Sequence, residues 1–255
     1  IVLKIIPRTE NPRYFVFNML TNEVIREDSI GMSCIRLPEN QGLIFPKGYV
    51  LSEGSYRLFT FDTEDLEFKT KVVSPNGEDV LFVYLRRRDG HYLLLQYNIV
   101  NKQVRNPIEC HGYSILEDGT LIFFWAKDEP TTTHEVQIWN TPFCSDRIHS
   151  TMLENQEPSF LRDIGNAELV RAISDVQSLN KLVMHNNPTS MLYQNLVRSC
   201  DRILQDYSWL EREESGKFDD GILALRTTAG QIIDEFEKIT VQKKRAAAAL
   251  KKAQE

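Results

Sequence analysis

The sequence has few cysteines and none of the pairings that mark a disulfide framework. Four cysteines occur in 255 residues, and no two of them form a CxxC pair. Small secreted domains that depend on disulfides use cysteine densely and at close spacing. The scattered thiols, at Cys34, Cys110, Cys144 and Cys200, therefore predict free structural cysteines and favour a cytoplasmic protein.

Long apolar runs are missing as well. The longest, such as Leu121 to Ala126, are far shorter than the roughly 20 residues that a membrane-spanning helix needs. The apolar opening residues are followed at once by Pro7 and Arg8, without the basic leader or cleavage site of a signal peptide. We expect no transmembrane segment, and association with a membrane surface only through partners. Because the chain lacks an initiator Met and ends inside a helical run without a C-cap signal, we expect both ends to be cuts in a longer protein.

The chain as a whole carries no excess of positive charge. Its formal net charge is -6 and its pI is near 5.5, so long-range attraction to phosphate backbones is not expected. One local basic run, Arg86, Arg87 and Arg88, stands beside Tyr84 and Tyr92 in a predicted hairpin. Charge for phosphates and rings for stacking are what nucleic-acid surfaces combine. Because an aspartate follows the arginines directly, a solvated turn is the alternative.

A second basic run lies near the end of the chain. Lys243, Lys244 and Arg245 open a stretch that continues to Lys252. It could contact nucleic acid or an anionic surface, and the alternative is the solvated face of a coiled coil. The two runs, Arg86 to Arg88 and Lys243 to Arg245, are the candidate partner or nucleic-acid contacts.

Motifs that carry chemistry are scarce. A phosphate-binding loop needs several glycines before a Gly-Lys pair and a hydroxyl residue, whereas Gly216-Lys217 is followed by Phe218. Two cysteine-histidine pairs could suggest a zinc site: Cys110 with His111, and Cys144 with His149. Neither pair has the ligand spacing of a zinc finger or knuckle. We therefore predict no cofactor, no metal and no catalytic residue. A propeller hydrolase is the third and weakest reading, because no acid-base constellation stands out.

The first half instead shows a repeating strand pattern. Apolar-alternating segments broken by Pro, Gly, Asn and Asp run from residue 10 to 150 and indicate an all-β architecture. Four segments each end in an aromatic residue followed by Asn or Asp. These aromatics are Phe17, Phe61, Tyr97 and Trp139, at intervals of 44, 36 and 42 residues. Such intervals are close to the ~40 to 45 residues of a four-stranded propeller blade.

Turn residues separate the predicted strands. Asn76-Gly77 and Asp118-Gly119 supply the positive φ angles of tight hairpins, and Arg86 to His91 joins two further strands. The pattern predicts an incomplete β-propeller of about three to four blades, with the remaining blades expected N-terminal to Ile1. An open meander or a β-sandwich fits the same strand spacing and stays open as an alternative.

The pattern changes to a helical period near Pro158. We predict a β-propeller-like domain over residues 1–155 and a helical, coiled-coil domain over residues 156–255. Asn166 is expected to cap the first helix, and His185 to Pro188 to end it. Pro188 is expected to be the first residue of a second helix, which carries Leu210 and is broken by Gly216. Gly216 then separates a third helix that begins near Asp219.

The third helix carries an apolar stripe with coiled-coil spacing. Its members are Ile222, Leu225, Ala229, Ile232, Phe236 and Ile239. The basic tail that follows has strong helix formers but little apolar surface. We expect its helicity to depend on a partner helix, which allows a homo-oligomer through the coiled coil.

Several runs of residues resemble one known family, the large bacterial AAA+ proteins commonly described as DNA-repair ATPases. The matching runs are Phe45 to Tyr49, Ser74 to Leu81, Asn106 to Ser114, Gln137 to Phe143 and Thr228 to Lys238. The resemblance implies a region upstream of long coiled coils and of a C-terminal ATPase domain, so that the ATP site lies outside this chain. Genes of that family often lie beside phage-shock and flotillin-like genes. The resemblance therefore implies a link to DNA repair or to membrane stress.

Two functional hypotheses follow from the residues and the resemblance. The first is a non-catalytic module in which a propeller face and a coiled coil contact protein partners and regulate a large AAA+ ATPase. The second is a nucleic-acid-binding platform of a DNA-repair ATPase that uses the two basic runs. Salt-dependent binding separates them, because phosphate contacts weaken steeply as ionic strength rises.

Overall fold

Strands occupy the first part of the chain and helices the second, as the sequence predicts. The computed structural model describes residues 1–18, 23–31, 33–126, 132–154, 159–184 and 188–254, with side chains up to residue 247. The strands are β1 (Val2–Ile5), β2 (Arg13–Asn18), β3 (Glu23–Arg26), β4 (Ile35–Arg36), β5 (Gly42–Phe45), β6 (Gly48–Leu51), β7 (Tyr56–Leu58), β8 (Glu67–Val73), β9 (Asp79–Arg86), β10 (His91–Asn98), β11 (Gln103–Val104), β12 (Ile108–Cys110), β13 (Gly112–Ile115), β14 (Thr120–Phe124) and β15 (Val136–Asn140). The helices are α1 (Asp146–Glu154), α2 (Phe160–Ile164), α3 (Asn166–Val183), α4 (Ser190–Asp206) and α5 (Phe218–Gln254).

The chain divides into two compact units, residues 1–171 and residues 172–255. The sequence-predicted boundary between residues 155 and 156 falls in the stretch 155–158, which lies outside the described residues. The same holds for the predicted helix stop at His185 to Asn187.

The described strands form four antiparallel sheets, and none of these closes into a barrel. Sheet 1 contains β1 to β3, sheet 2 contains β4 to β7, sheet 3 contains β8 to β12 and sheet 4 contains β13 to β15. Within each sheet, strands that are consecutive in sequence pair with each other, except that β12 joins β10 beside β11. Each sheet is therefore a meander, which needs only short local turns.

The predicted hairpin turns are confirmed. Gly77 between β8 and β9, Gly90 between β9 and β10 and Gly119 between β13 and β14 have φ angles of +73°, +70° and +87°. Glycine reaches this left-handed region without steric cost, whereas other residues rarely do. The turns set the register of sheets 3 and 4, for example His91 opposite Arg86 and Leu121 opposite Ile115.

One of the four predicted strand ends is wrong. Phe61 does not lie on a strand, because β7 ends at Leu58 and the chain turns at Asp62. The Asp62 carboxylate accepts a hydrogen bond from the Glu64 backbone N–H at 3.0 Å, which forms an Asx turn. This local bond offers the backbone an alternative to strand pairing.

The other three aromatic residues lie on strands but in different surroundings. Phe17 is on β2, Tyr97 on β10 and Trp139 on β15. Tyr97 is fully buried, whereas Trp139 is 44% exposed. The four aromatic positions are therefore not equivalent, and the described sheets differ in size, with three to five strands each.

Sheet 3 is covered on both faces. Alternate residues of β9 point to opposite sides, so Phe82 packs in a core with Ile44 of sheet 2, and Leu81 packs in a second core with Leu121 of sheet 4. Sheet 1 adds Val16 to a further core with sheet 2, which also holds Phe45 and Val50. The four sheets thus pack against one another in chain order.

A buried hydrogen-bond chain joins sheets 2 and 3. The Tyr97 hydroxyl donates to Gln41 Oε1 at 2.6 Å, and Gln41 Nε2 donates to the Ile99 carbonyl oxygen at 3.1 Å. Gln41 is only 4% exposed and directly precedes β5. Because unpaired buried polar groups are costly, these bonds fix the start of β5 against β10.

The helical predictions need three corrections. α1 begins at Asp146, inside the part predicted to be all-β, where the Ile148 N–H donates to Ser145 Oγ at 3.5 Å in N-cap position. α4 begins at Ser190 and not at Pro188, because Thr189 Oγ1 accepts from the Leu192 N–H at 3.1 Å. α4 also ends at Asp206, and two 3₁₀ turns, Ser208–Glu211 and Glu213–Ser215, separate it from α5.

The second unit has a core of its own, to which α3, α4 and α5 all contribute. Ile222 and Ala229 of the predicted stripe are buried at 4% and 1% exposure and pack with Leu196, Cys200 and Ile203 of α4. Further along the stripe Ile239 is 49% exposed. The first half of the stripe therefore packs within the chain.

Candidate partner interface at the arginine turn

The first predicted basic run lies at the end of a buried hairpin. We call residues Arg86 to Gly90, which join β9 to β10, the arginine turn. Both strands are almost entirely buried, so the turn is held at a fixed place on a rigid support. Its charged residues nevertheless differ strongly in exposure.

Arg86 is the buried member of the turn. Its side chain is 10% exposed and forms ion pairs with Asp62 Oδ2 at 2.7 Å and with Asp89 Oδ2 at 2.9 Å. The hydrogen bond from Arg86 holds the pKa of the Asp89 carboxyl below its ordinary value. Arg86 therefore acts as a structural bridge between the turn and the loop after β7.

Arg87 and Arg88 are exposed at 82% and 63%, and both lie near acidic residues. Arg87 Nε is 3.4 Å from Glu67 Oε2, and Arg88 Nη1 is 3.6 Å from Asp65 Oδ2. Exposed pairs of this kind contribute at most about 1 kcal/mol. The acidic partners nevertheless reduce the net positive charge that the turn offers to a phosphate group.

The second predicted basic run lies in the other compact unit. Lys243, Lys244 and Arg245 are all exposed on α5. No acidic side chain is paired with them in any ion pair among the described residues. The use of either run as a contact site stays a prediction.

Sequence reasoning missed a cluster of rings beside the arginine turn. His91, 3% exposed, lies with its ring centroid 5.9 Å from that of His111 and 5.4 Å from that of Trp125. Its Nε2 atom is 3.2 Å from Glu109 Oε2. Burial lowers the pKa of His91, and the nearby Arg86 lowers it further. The pairing of β10 with β12 brings the two histidines together. In the sequence, the one sign of this cluster is the position of His111 at the end of a predicted strand.

In the described part of the chain the cysteines belong to no cluster that could hold a metal ion. No set of three or more His, Cys, Asp or Glu residues there could hold a metal ion. Burial raises the pKa of the Cys34 and Cys110 thiols to about 11. At neutral pH these two residues are therefore thiols and not the thiolates that nucleophilic chemistry needs.

Replacement of Arg86 by methionine should destabilise the first unit, whereas the same change at Arg87 should not. Arg86→Met removes two charge-assisted bonds from a buried site, which costs about 2 kcal/mol. Arg87→Met removes one exposed pair and should change the free energy of unfolding by less than about 0.5 kcal/mol. Urea unfolding curves of the two variants measure the difference. Equal losses would show that Arg86 is not a structural bridge.

The chain is similar to one known family of proteins. None of the helices in the described part of the chain is long and apolar enough to cross a membrane. No curated protein and no solved structure is significantly similar to the chain. A family model described as "ATPase involved in DNA repair" matches residues 1–208, a range that includes all four sheets and the helices α1 to α4. The chain belongs to this family of ATPases involved in DNA repair.

Proposed function

We propose that the chain is a non-catalytic protein-interaction and regulatory module of a large AAA+ ATPase. The observation that carries this proposal is the stack of four meander sheets, each packed on the next in chain order. A β-propeller is built from successive antiparallel meanders, typically of four strands, and the four described sheets have three, four, five and three strands. On this proposal the sheets are blades, and their turns present a rigid face to a protein partner.

The helical part is proposed to carry a coiled coil that connects this face to the rest of the ATPase. The stripe on α5 recurs at three- and four-residue steps, and it continues beyond Phe236, its last residue with a ring contact to α4. A partner helix, from another protein or from a second copy of the chain, would cover the exposed part of the stripe.

ATP hydrolysis is assigned on this proposal to another part of the parent protein. The sequence has no Gly-rich loop that could cradle phosphates. The description of the family supports a role of the module in DNA repair, and the free cysteines support a cytoplasmic location. A role in membrane stress is the alternative that the family resemblance implies.

The test is capture of protein by the 255-residue chain in the presence of nuclease. We expect a bound protein that resists nuclease and persists above physiological salt, because an apolar and hydrogen-bonded contact is screened little. A Phe82→Ala chain, in which the packing between sheets 2 and 3 is weakened, is the comparison variant and should capture less protein than wild type. Loss of all captured protein after nuclease would contradict the proposal.

The second candidate function is a nucleic-acid-binding platform, and the exposed basic run on α5 favours it. Lys243, Lys244 and Arg245 could each neutralise one phosphate. Binding would then weaken with salt at a slope of about -0.9 per contact on duplex DNA. We expect no measurable binding of a labelled duplex by the wild-type chain at low salt, since the chain has a net charge of -6 and the arginines of the turn already lie beside acidic residues.

A salt titration followed by fluorescence anisotropy decides between the two candidates. If binding is found, the triple change Lys243→Glu, Lys244→Glu and Arg245→Glu should make the dependence of log affinity on log salt shallower. The change in slope should correspond to the loss of about three phosphate contacts. A double change, Arg87→Glu with Arg88→Glu, tests the turn in the same assay. Tight binding that either set of changes abolishes would favour the nucleic-acid platform over the protein-interaction module.

A further inference from the structure

His91 occupies an unusual position for a histidine. It is the first residue of β10, 97% buried, and faces Glu109 of β12 on one side. Neither of its ring nitrogens forms a hydrogen bond of acceptable geometry with any described residue, although Nε2 lies 3.2 Å from Glu109 Oε2. Unsatisfied buried nitrogens are rare, because each forfeits the hydrogen bond it makes in water.

The residues around His91 tie sheet 3 to sheet 4. The His111 backbone N–H donates to the Phe124 carbonyl oxygen at 2.9 Å, and His111 Nδ1 accepts from the Ala126 N–H at 3.1 Å. Trp125 lies between these bonds, with its ring 4.6 Å from that of His111 and 5.4 Å from that of His91. His91 is thus covered by the short strand β12 and by the residues just after β14.

We propose that His91, Glu109, His111 and Trp125 form an acid-sensitive latch that holds β12 and the end of β14 over β10. At neutral pH the latch is closed around an uncharged imidazole. A proton on His91 creates a charge in a buried site, and opening of the thin cover of β12 and Trp125 lets water reach it. The latch lies next to the arginine turn, so acid would change this edge of sheet 3.

The charged groups around His91 oppose one another. Burial is the largest influence and lowers its pKa, and Arg86 and His111 lower it as well. Glu109 and Asp89 raise it, but Asp89 is already bound to Arg86. Because the pKa of the folded form is below the value of 6.5 for an exposed histidine, the closed latch is favoured above that pH and loses its advantage as the pH falls.

Hydrogen exchange of the full 255-residue chain tests the latch. After correction for the intrinsic effect of pH, the amides of Ile108–Cys110 and of Trp125 and Ala126 should exchange faster at pH 5 than at pH 7. The acceleration at pH 5 should be severalfold and at most about 30-fold, because the ordinary pKa of 6.5 for an exposed imidazole sets the upper limit. The amides of β5 and β6 in sheet 2 should show no such change and serve as the internal reference.

Variants separate the latch from a general effect of acid. His91→Phe keeps a ring among His111 and Trp125 and should remove the acceleration, as should His91→Asn, which serves if the larger ring misfolds. Glu109→Gln removes a group that favours the proton, so the acceleration should become larger. His149→Phe in α1 is the matched control and should behave as wild type. Acceleration that persists in both His91 variants, or its absence in wild type, would overturn the proposal.

Discussion

Replacement of Phe82 by alanine is expected to lower the free energy of unfolding of the first unit by about 3–5 kcal/mol. Phe82 is fully buried in the core between sheets 2 and 3. Its removal takes apolar contacts from both sheets and leaves a cavity that β9, paired on both sides, cannot close. Val73→Ala at the end of β8 should cost less than about 0.5 kcal/mol, because Val73 is 53% exposed.

The measurement is urea unfolding followed by tryptophan fluorescence. Trp125 and Trp139 lie in the first unit and Trp209 in the second, so a Trp209→Phe background reports on the sheets alone. A loss below about 1 kcal/mol for Phe82→Ala would mean that sheet 2 does not cover this face of sheet 3.

The second large effect is expected for Gly42→Ala, at about 3–5 kcal/mol. Gly42 opens β5 with a φ of +146°, a backbone conformation that residues with a side chain rarely adopt. A Cβ atom there would lie 2.1 Å from the Val50 carbonyl oxygen on the paired strand β6. The backbone would have to move, and with it Gln41, whose hydrogen bonds join sheets 2 and 3.

Gly230→Ala is the matched control for this change. Gly230 lies inside α5, and a Cβ there would meet nothing within 4 Å. Because glycine weakens a helix interior relative to alanine, this change should stabilise the second unit by about 0.5–1 kcal/mol. Thermal unfolding by circular dichroism compares the two variants. A Gly42→Ala chain as stable as wild type would contradict the close approach of β5 and β6.

The parts of the fold that the sequence predicted are those with local causes. Asn76-Gly77 and Asp118-Gly119 determine their hairpins within four residues, and the turn types need no distant contact. The apolar alternation before Phe61 predicts a strand, but the Asx turn at Asp62 competes with strand pairing. The start of α4 differs from the prediction for a similar reason. The sequence favours Pro188 as the first helical residue, but Thr189 caps the helix, which therefore begins at Ser190.

The candidate site depended on contacts that sequence spacing does not reveal. The sequence predicts one basic patch of three arginines and shows only Asp89 beside it. The other carboxylates come from residues 62 to 67, which the pairing of β8 with β9 brings close. His91 and His111 meet only through the pairing of β10 with β12. Both depend on strand register, which is set by the packing of whole sheets.

The most direct test of the stacked-sheet account is the surroundings of two adjacent side chains, Leu81 and Phe82, observed by nuclear Overhauser contacts or in a crystal structure of the chain. The account predicts that Phe82 contacts side chains of sheet 2 and that Leu81 contacts side chains of sheet 4. Contacts of both residues with one and the same sheet, or exposure of either to solvent, would contradict it.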